Sequence, residues 1–544
     1  MTTIASLLEA RRGDTHPGLV ERGLSLSWDE VLVEADRRAS WLRGIQRDGP
    51  PHLGLLMPNG ADYLLWLFAA ARARWAVVGI NPTRRGEALG ADIDRTNCQL
   101  VITDDEGEVL LAGAPTGLSP DQILHSRDAS RRSASLTTGA HEDSSDVAQD
   151  DDLLLLLFTS GTTGQPKAVR CTQGRLASIA EIAAPAYGYS RQDVCYCPMP
   201  LFHGNALMAL VAPALLVGAS IALRPRFSAS AFLDDVREFG ATTFTYVGKA
   251  VAYLLAVEEQ PEDSSNTLTR GFGTEASSPD RVRFEERFGC RLVEGYGSSE
   301  GGVTIVTTPQ TPAGALGPAP AGADLAVVDP ETGDEMKRAI FNEAGVLLNG
   351  TEAIGEIVNR AGSGKFEGYY ANPLAEGSRV HDGWYWTGDL AYRDSDGYFF
   401  FAGRSGDWLR VDSENLAATP IEAVMARFEA FAGVAIYPVP DVATASGDAV
   451  MLAAELRDGT SFDPDAFSAW LGRQSDLGTK WTPSFIRLVD TIDETATGKI
   501  TKVRLKLERW RCDDVVFIRH ARSTAFLPAS AEILDDLDAR LAAR

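Results

Sequence analysis

Residues 159–169 read TSGTTGQPKAV and follow the apolar run LLLLLF at 153–158. Gly161 and Gly164 let backbone N–H groups approach phosphate oxygens, Thr159, Ser160, Thr162 and Thr163 offer hydroxyl donors, and Lys167 brings a positive charge. The kinase and GTPase loop, G-x-x-x-x-G-K-[ST], is not matched, because Gln165 and Pro166 separate Gly164 from Lys167. Further along stand His203 in PMPLFHGNA, Glu300 in GYGSSEGG (295–302), Asp389 in WYWTGDL and Lys499 in TATGKITK (495–502). Each is bland in isolation. A histidine after an apolar strand is more often a hydrogen-bonded structural residue than a ligand. A Tyr-Gly turn before a glutamate, or an aspartate in a hairpin, is equally ordinary.

The elements that must position these residues are legible from their periodicity. Ser27-Trp-Asp-Glu30 is a capping-box signature, and apolar residues at 28, 31, 32, 35, 39 and 42 then keep helical spacing. HLGLLM (52–57) predicts a strand, PNGADYLLWLFAAARA a helix, and WAVVGIN and CQLVITDD further strands. This alternation predicts α/β subdomains with parallel-type sheets. Residues 126–152 are polar and predict a surface loop, and LLLLLF a buried inner strand. From about 310 to 403 short strands and Gly/Pro/Asp turns predict a small β-rich subdomain, with a hairpin turn at Asp394-Ser-Asp-Gly397. A smaller unit of about 140 residues follows; repeats and low-complexity tracts are absent.

Length and charge bound the possibilities. A chain of 544 residues exceeds one ordinary core. With 75 acidic against 51 basic residues the net charge is −24, which repels nucleic acid and anionic lipid. Only eight of the basic residues are lysine, so a lysine inside a motif stands out. The six cysteines are scattered and lack a C-x-x-C pair, which predicts a reduced, cytoplasmic setting. No signal peptide or membrane span is read, since YLLWLFAAA falls far short of the roughly 20 residues a span needs. Peripheral membrane contact and homo-oligomer formation are left open.

Taken in order, the five motifs resemble those of the acyl-adenylate-forming superfamily, over nearly the whole chain. T-S-G-T-T-G-x-P-K is similar to its phosphate loop, with Ala168 where glycine is usual. The resemblance implies a large N-terminal AMP-binding domain (1–403), a hinge (404–407) and a small mobile α+β C-terminal domain (408–544). It implies ATP, Mg²⁺ and coenzyme A, and a carboxylate substrate. Thr159 to Gly164 and Lys167 would hold phosphates. Gly273, Thr274 and Glu275 would line the adenine pocket, with Tyr296 stacking on the base beside Gly297. Ser299 would replace the usual threonine, Glu300 would hold Mg²⁺, and His203 would stand at the acyl entrance. Asp389 and Arg404 would take the ribose, and Lys499 would perform adenylation. Asp493 stands where many relatives carry proline.

GDWLRVDSENLAATPIE (406–422) and VVFIRHARSTAFLPAS near the end resemble the very-long-chain and fatty-acid-transport branch, in which actinobacterial enzymes act on fatty acids or steroid side-chain acids. Ser413 departs from the glycine usual before Glu414-Asn415, in a loop that approaches the thiol. In FTYVGKAVAYLLA (244–256), the small Val247, Gly248 and Ala252 predict room for a wide apolar acyl group. A fatty acyl-AMP ligase serving a carrier protein is the alternative. A dinucleotide oxidoreductase is disfavoured: GFGTEA (271–276) fits G-x-G-x-x-[GA] with Glu294 about 20 residues on, but a convincing strand does not precede it.

Overall fold

The computed structural model describes residues 2–135, 147–159, 166–343, 345, 347–404, 408–411, 414–442, 448–474, 477, 481–494, 500–519 and 525–542. Its contacts divide the chain into two compact units. The first takes in Met1–Gly161, Gln165–Thr307 and Ser363–Val380, and the second Thr308–Gly362 and His381–Arg544.

Two sheets build the first unit. One runs Ile123–His125, Leu100–Thr103, His52–Leu56, Ala76–Gly79, Leu153–Thr159, Lys167–Thr172. Its first five strands are parallel and the last pair is antiparallel. The other runs Thr304–Val306, Arg291–Gly297, Arg270–Thr274, Thr243–Val247, Val194–Cys197, Ser220–Leu223, Pro17–Glu21, Leu24–Ser27, with antiparallel pairs only at its two ends. The run YLLWLFAAA lies in the helix Ala61–Ala73, where eleven of thirteen residues are buried. A helix apolar on every side must be covered on every side. Its core cluster draws Leu53 and Leu155 from one sheet and Cys195 and Ile221 from the other. Among the described residues no helix is long and apolar enough to cross a membrane. The capping box also forms: Ser27 and Glu30 satisfy each other's backbone amides at the start of Trp28–Arg43.

One expectation fails. Ser126–Ala134, placed by its polarity in a surface loop, is a helix. Ala129 and Ser133, four residues apart, are buried, and Arg37 donates to the Ser130 carbonyl and the Ser133 hydroxyl. Two small residues suffice for that face, so polarity hid the period.

In the second unit, antiparallel strands run Gly317–Pro318, Tyr398–Arg404, Trp384–Arg393, Gly355–Asn359, Leu325–Val328. The Asp394–Gly397 turn is a hairpin turn as expected, with Gly397 at φ +90°. A five-stranded sheet follows: Phe431–Pro440, Asp448–Leu456, Phe485–Val489, Val515–Arg519, Phe526–Pro528. Val434 and Ile436 face one core with the helices Ala418–Met425 and Pro464–Leu471. Ala435, Tyr437 and Val439 face another with Val503–Glu508 and Ala531–Ala542. Both faces of the 431–440 strand are covered, so its sequence is apolar throughout.

Gly248 corrects a second expectation. A Cβ there would lie 1.9 Å from the Glu275 carbonyl oxygen, so its smallness serves close packing of the helix Gly248–Ala256 on the 274–276 turn, not ligand room. Ala252 lies on the exposed side of the same helix. We predict that Gly248→Ala is destabilising by about 1–3 kcal/mol through overpacking, although alanine is the better helix former. A thermal or denaturant melt checks it; a midpoint at or above wild type would mean that helix and turn separate without cost.

Candidate active site

In open parallel sheets, ligands gather outside the carboxyl ends of the strands. Four candidate segments of the first unit leave their strands at that end, residues 198–203 after 194–197, 248 after 243–247, 275 after 270–274 and 298–300 after 291–297, and the strand Leu153–Thr159 ends at the first motif. Thr159 pairs with Lys167 across the neck of the first loop, and the Thr159 hydroxyl lies 3.5 Å from the Lys167 carbonyl. Ser160, Gly161, Thr162, Thr163 and Gly164 lie outside the described residues.

Residues 368–370 run along the outer edge of the 167–172 strand. The Arg170 amide donates to Gly368 (3.1 Å) and the Tyr370 amide to Ala168 (2.8 Å), with a bridge between Val169 and Tyr369. This pairing aims Tyr369 inward, 2% exposed. Its hydroxyl donates to Glu300 Oε1 (2.9 Å), and Glu300 is itself 5% exposed. The Lys167 ammonium stands 5.3 Å from the centre of the same ring, and Arg379 Nε lies 3.4 Å from the hydroxyl. Burial pushes the phenol well up, so it stays a donor. Burial, then Arg379, hold Lys167 below the ordinary ammonium value, while Glu300 works the other way. A ligand carrying negative charge would reverse that shift. Sequence reasoning missed Tyr369 and Arg379; Gly-Tyr-Tyr in KFEGYYANP becomes informative only once it pairs with the 167–172 strand.

The turn bearing Ser299 and Glu300 is braced from behind. Arg175, 5% exposed on the helix Gln173–Ala186, donates to the carbonyls of Ser299 (2.5 Å) and Arg170 (2.6 Å). Gly301 takes φ +73°, where a side chain would strain the backbone and meet Arg175. A Cβ on Gly204 would sit 2.9 Å from the Ser299 hydroxyl, so the segment leaving His203 lies close against that turn. His203 is partly buried, its ring 4.4 Å from Phe202 centre to centre, and a π-helical turn, Leu207–Val211, follows. Such turns often accompany functional sites.

On the same edge Gly271 and Gly273 lie within the strand Arg270–Thr274. A Cβ on Gly273 would come 2.4 Å from the Tyr246 carbonyl. A dinucleotide fingerprint needs its glycines in the turn after the strand, so that rival lacks its geometry. Thr274 closes the strand, Glu275 takes φ +69°, and Glu294 faces this turn from the neighbouring strand. Tyr296, partly buried, and Gly297, exposed, pair with Ile305 and Thr304.

In the second unit Asp389 stands opposite Arg404 in the hairpin register. Glu356, 7% exposed, accepts from the Gly388 amide (2.6 Å), and Gly388 takes φ +71°. The Thr387 hydroxyl donates to Ile357 (2.8 Å) and accepts from the Asp389 amide (3.1 Å). Lys499 lies outside the described residues. Its flanks are tied: Glu494 bridges Ile500, the Thr501 amide donates to the Asp493 carbonyl (2.8 Å), and Lys502 pairs with Glu422 (2.8 Å). Asp493, unusual by resemblance, has its own partner in Arg504 (2.7 Å). Among the described residues no cluster of three or more potential metal ligands occurs.

The AMP-binding enzyme family matches residues 9–370. A steroid-22-oyl-CoA synthetase of Rhodococcus jostii is 51% identical over 95% of this chain and 93% of its own. A medium/long-chain-fatty-acid–CoA ligase of Mycobacterium marinum is 43% identical over 90% of this chain and 93% of its own. The crystal structure of ATP-bound MatB from Rhodopseudomonas palustris superposes with a TM-score of 0.78 at 23% identity, covering 93% of this chain and 98% of that one, which establishes a shared fold. Family match, full-length identity and the ordered motifs agree: the chain belongs to the AMP-binding enzyme family.

Proposed function

We propose that the chain is an AMP-forming acyl-CoA ligase that activates an apolar carboxylate, a long-chain fatty acid or a steroid side-chain acid, through an acyl-AMP. The observation that carries the reading is the buried Glu300 held by Tyr369 with Lys167 over the same ring. One carboxylate and one cation thus meet at the start of the strand Lys167–Thr172, and the sequence just before that strand has hydroxyls and glycines that suit phosphate. The names of the similar proteins support the acid class.

In the first half-reaction a substrate carboxylate oxygen attacks the α-phosphorus of ATP. The new O–P bond forms as the α–β bond breaks, and pyrophosphate leaves with its electron pair. Two anions meet, so positive charge must be held where it develops. Thr159, Ser160, Gly161, Thr162, Thr163, Gly164 and Lys167 would grip the departing β- and γ-phosphates. Magnesium bound to nucleotide phosphates supplies charge neutralisation and needs only one or two protein carboxylates, which Glu300 fits without a larger cluster. Gly273, Thr274, Glu275, Tyr296 and Gly297 would seat the base and Asp389 and Arg404 the ribose. Ser299 would add a hydroxyl beside the phosphates, and His203 would border the acyl entrance. In the second half-reaction the CoA sulfur, its proton lost, attacks the acyl carbon; the C–S bond forms and AMP leaves. A hinge at 404–407, between domains 1–403 and 408–544, would let Lys499 serve the first step and withdraw for the second. All six cysteines are free and five are buried, which supports a reducing, cytoplasmic setting.

Pyrophosphate release across a panel of carboxylates, with and without CoA, tests the reading. Activity with acids but no thioester would favour a carrier-protein acceptor. Lys499→Ala should lower acyl-AMP synthesis roughly 100-fold or more, yet convert premade acyl-AMP to thioester; equal loss of both steps in a folded variant would remove that role. Each buried methylene should add about 0.8 kcal/mol, roughly fourfold in kcat/KM, along acetate, octanoate, palmitate and a steroid acid. A preference for acetate would overturn the apolar-acid assignment.

A further inference from the structure

Glu294 takes no part in the chemistry above, yet it joins four segments of the candidate site. Its Oε1 accepts from the Tyr246 hydroxyl (2.6 Å) and from the Ala276 amide (3.3 Å). Tyr246 is fully buried, and its carbonyl accepts from Asn205 Nδ2 (3.3 Å), two residues after His203. Glu294 itself lies two residues before Tyr296 on the strand Arg291–Gly297.

The turn so held is strained. Glu275 takes φ +69°, and its carbonyl is packed against Gly248 so closely that a Cβ there would fall at 1.9 Å. A non-glycine residue keeps a left-handed conformation only where its surroundings over-determine it. The Ala276 amide, in the peptide that follows Glu275, is turned to this carboxylate and is that determinant. We infer that Glu294 is a positioning residue for nucleotide binding: it clamps the 274–276 turn in its left-handed form, so that Gly273, Thr274 and Glu275 present their backbone to the adenine side of the pocket. Burial raises the Glu294 carboxyl above its ordinary value, while the Tyr246 hydroxyl, Arg281 and the Ala276 amide oppose this. Glutamine, uncharged and of the same length, retains an acceptor oxygen at this place.

The inference rests on the proposed nucleotide-binding role of residues 273–275, and calorimetric titration of the full chain with Mg·ATP tests the two separately. Wild type should bind. Glu294→Ala should bind roughly tenfold or more weakly, because a turn that is seldom in its competent form lowers apparent affinity by that fraction. Glu294→Gln should stay near wild type. Adding Glu275→Gly to Glu294→Ala should restore most of the affinity, since glycine enters the left-handed region freely; a merely structural loss would not be rescued. Tyr246→Phe, which removes one donor and keeps the ring, should weaken ATP binding in the same direction, and it stands in if the alanine variant fails to fold. Undiminished ATP binding by folded Glu294→Ala or Tyr246→Phe, or a loss that Glu275→Gly leaves untouched, would overturn the inference while the functional reading stood. A wild-type chain that bound no ATP would remove the functional reading first and this inference with it.

Discussion

A carboxylate withdrawn from water must be met by donors, because an unpaired buried charge costs several kcal/mol. Glu300 is met by the Tyr369 hydroxyl, and the first unit's site is organised around that contact. Tyr369 can reach Glu300 because residues 368–370 pair along the 167–172 strand. Lys167 leads that same strand, so one ring lies beside both the carboxylate and the ammonium. The turn carrying Glu300 is held against this cluster by Arg175, whose guanidinium satisfies the carbonyls of Arg170 and Ser299.

The strand ends impose a second constraint. Several segments converge on one edge, and they come close only because particular positions lack a side chain. Gly204 against the Ser299 hydroxyl, Gly273 against the Tyr246 carbonyl and Gly248 against the Glu275 carbonyl are contacts in which a Cβ would displace its neighbour. Packing this dense transmits small displacements between segments. The precision of the edge therefore depends on residues that touch no ligand.

Much of this was legible from the chain alone, for identifiable reasons. The helices Trp28–Arg43 and Ala61–Ala73 announce themselves by a capping box and by an apolar run, and the strands at 52, 76, 100 and 153 by short apolar stretches between turn residues. These are local signals, decided by neighbours within a few residues. The helix Ser126–Ala134 escaped because its buried face is one alanine and one serine. Gly248 was misread because smallness in a sequence does not say what fills the vacant space.

The five ordered motifs, the lysines scarce enough to be conspicuous, the acid surface and the α/β alternation were determined by sequence, since each is a matter of residue type at fixed spacing. Family membership follows from that order. Tertiary structure decided which side chains meet. Tyr369 stands 202 positions after Lys167 and 69 after Glu300, and nothing local to any of them foretells the contact. Glu294 likewise looked like the acidic residue of a dinucleotide fingerprint until the glycines proved to lie inside a strand and its carboxylate to face the backbone of a strained turn. Secondary structure and motif are written at short range. The meeting of buried charge with its donor is set by strand pairing at long range, which only the folded chain supplies.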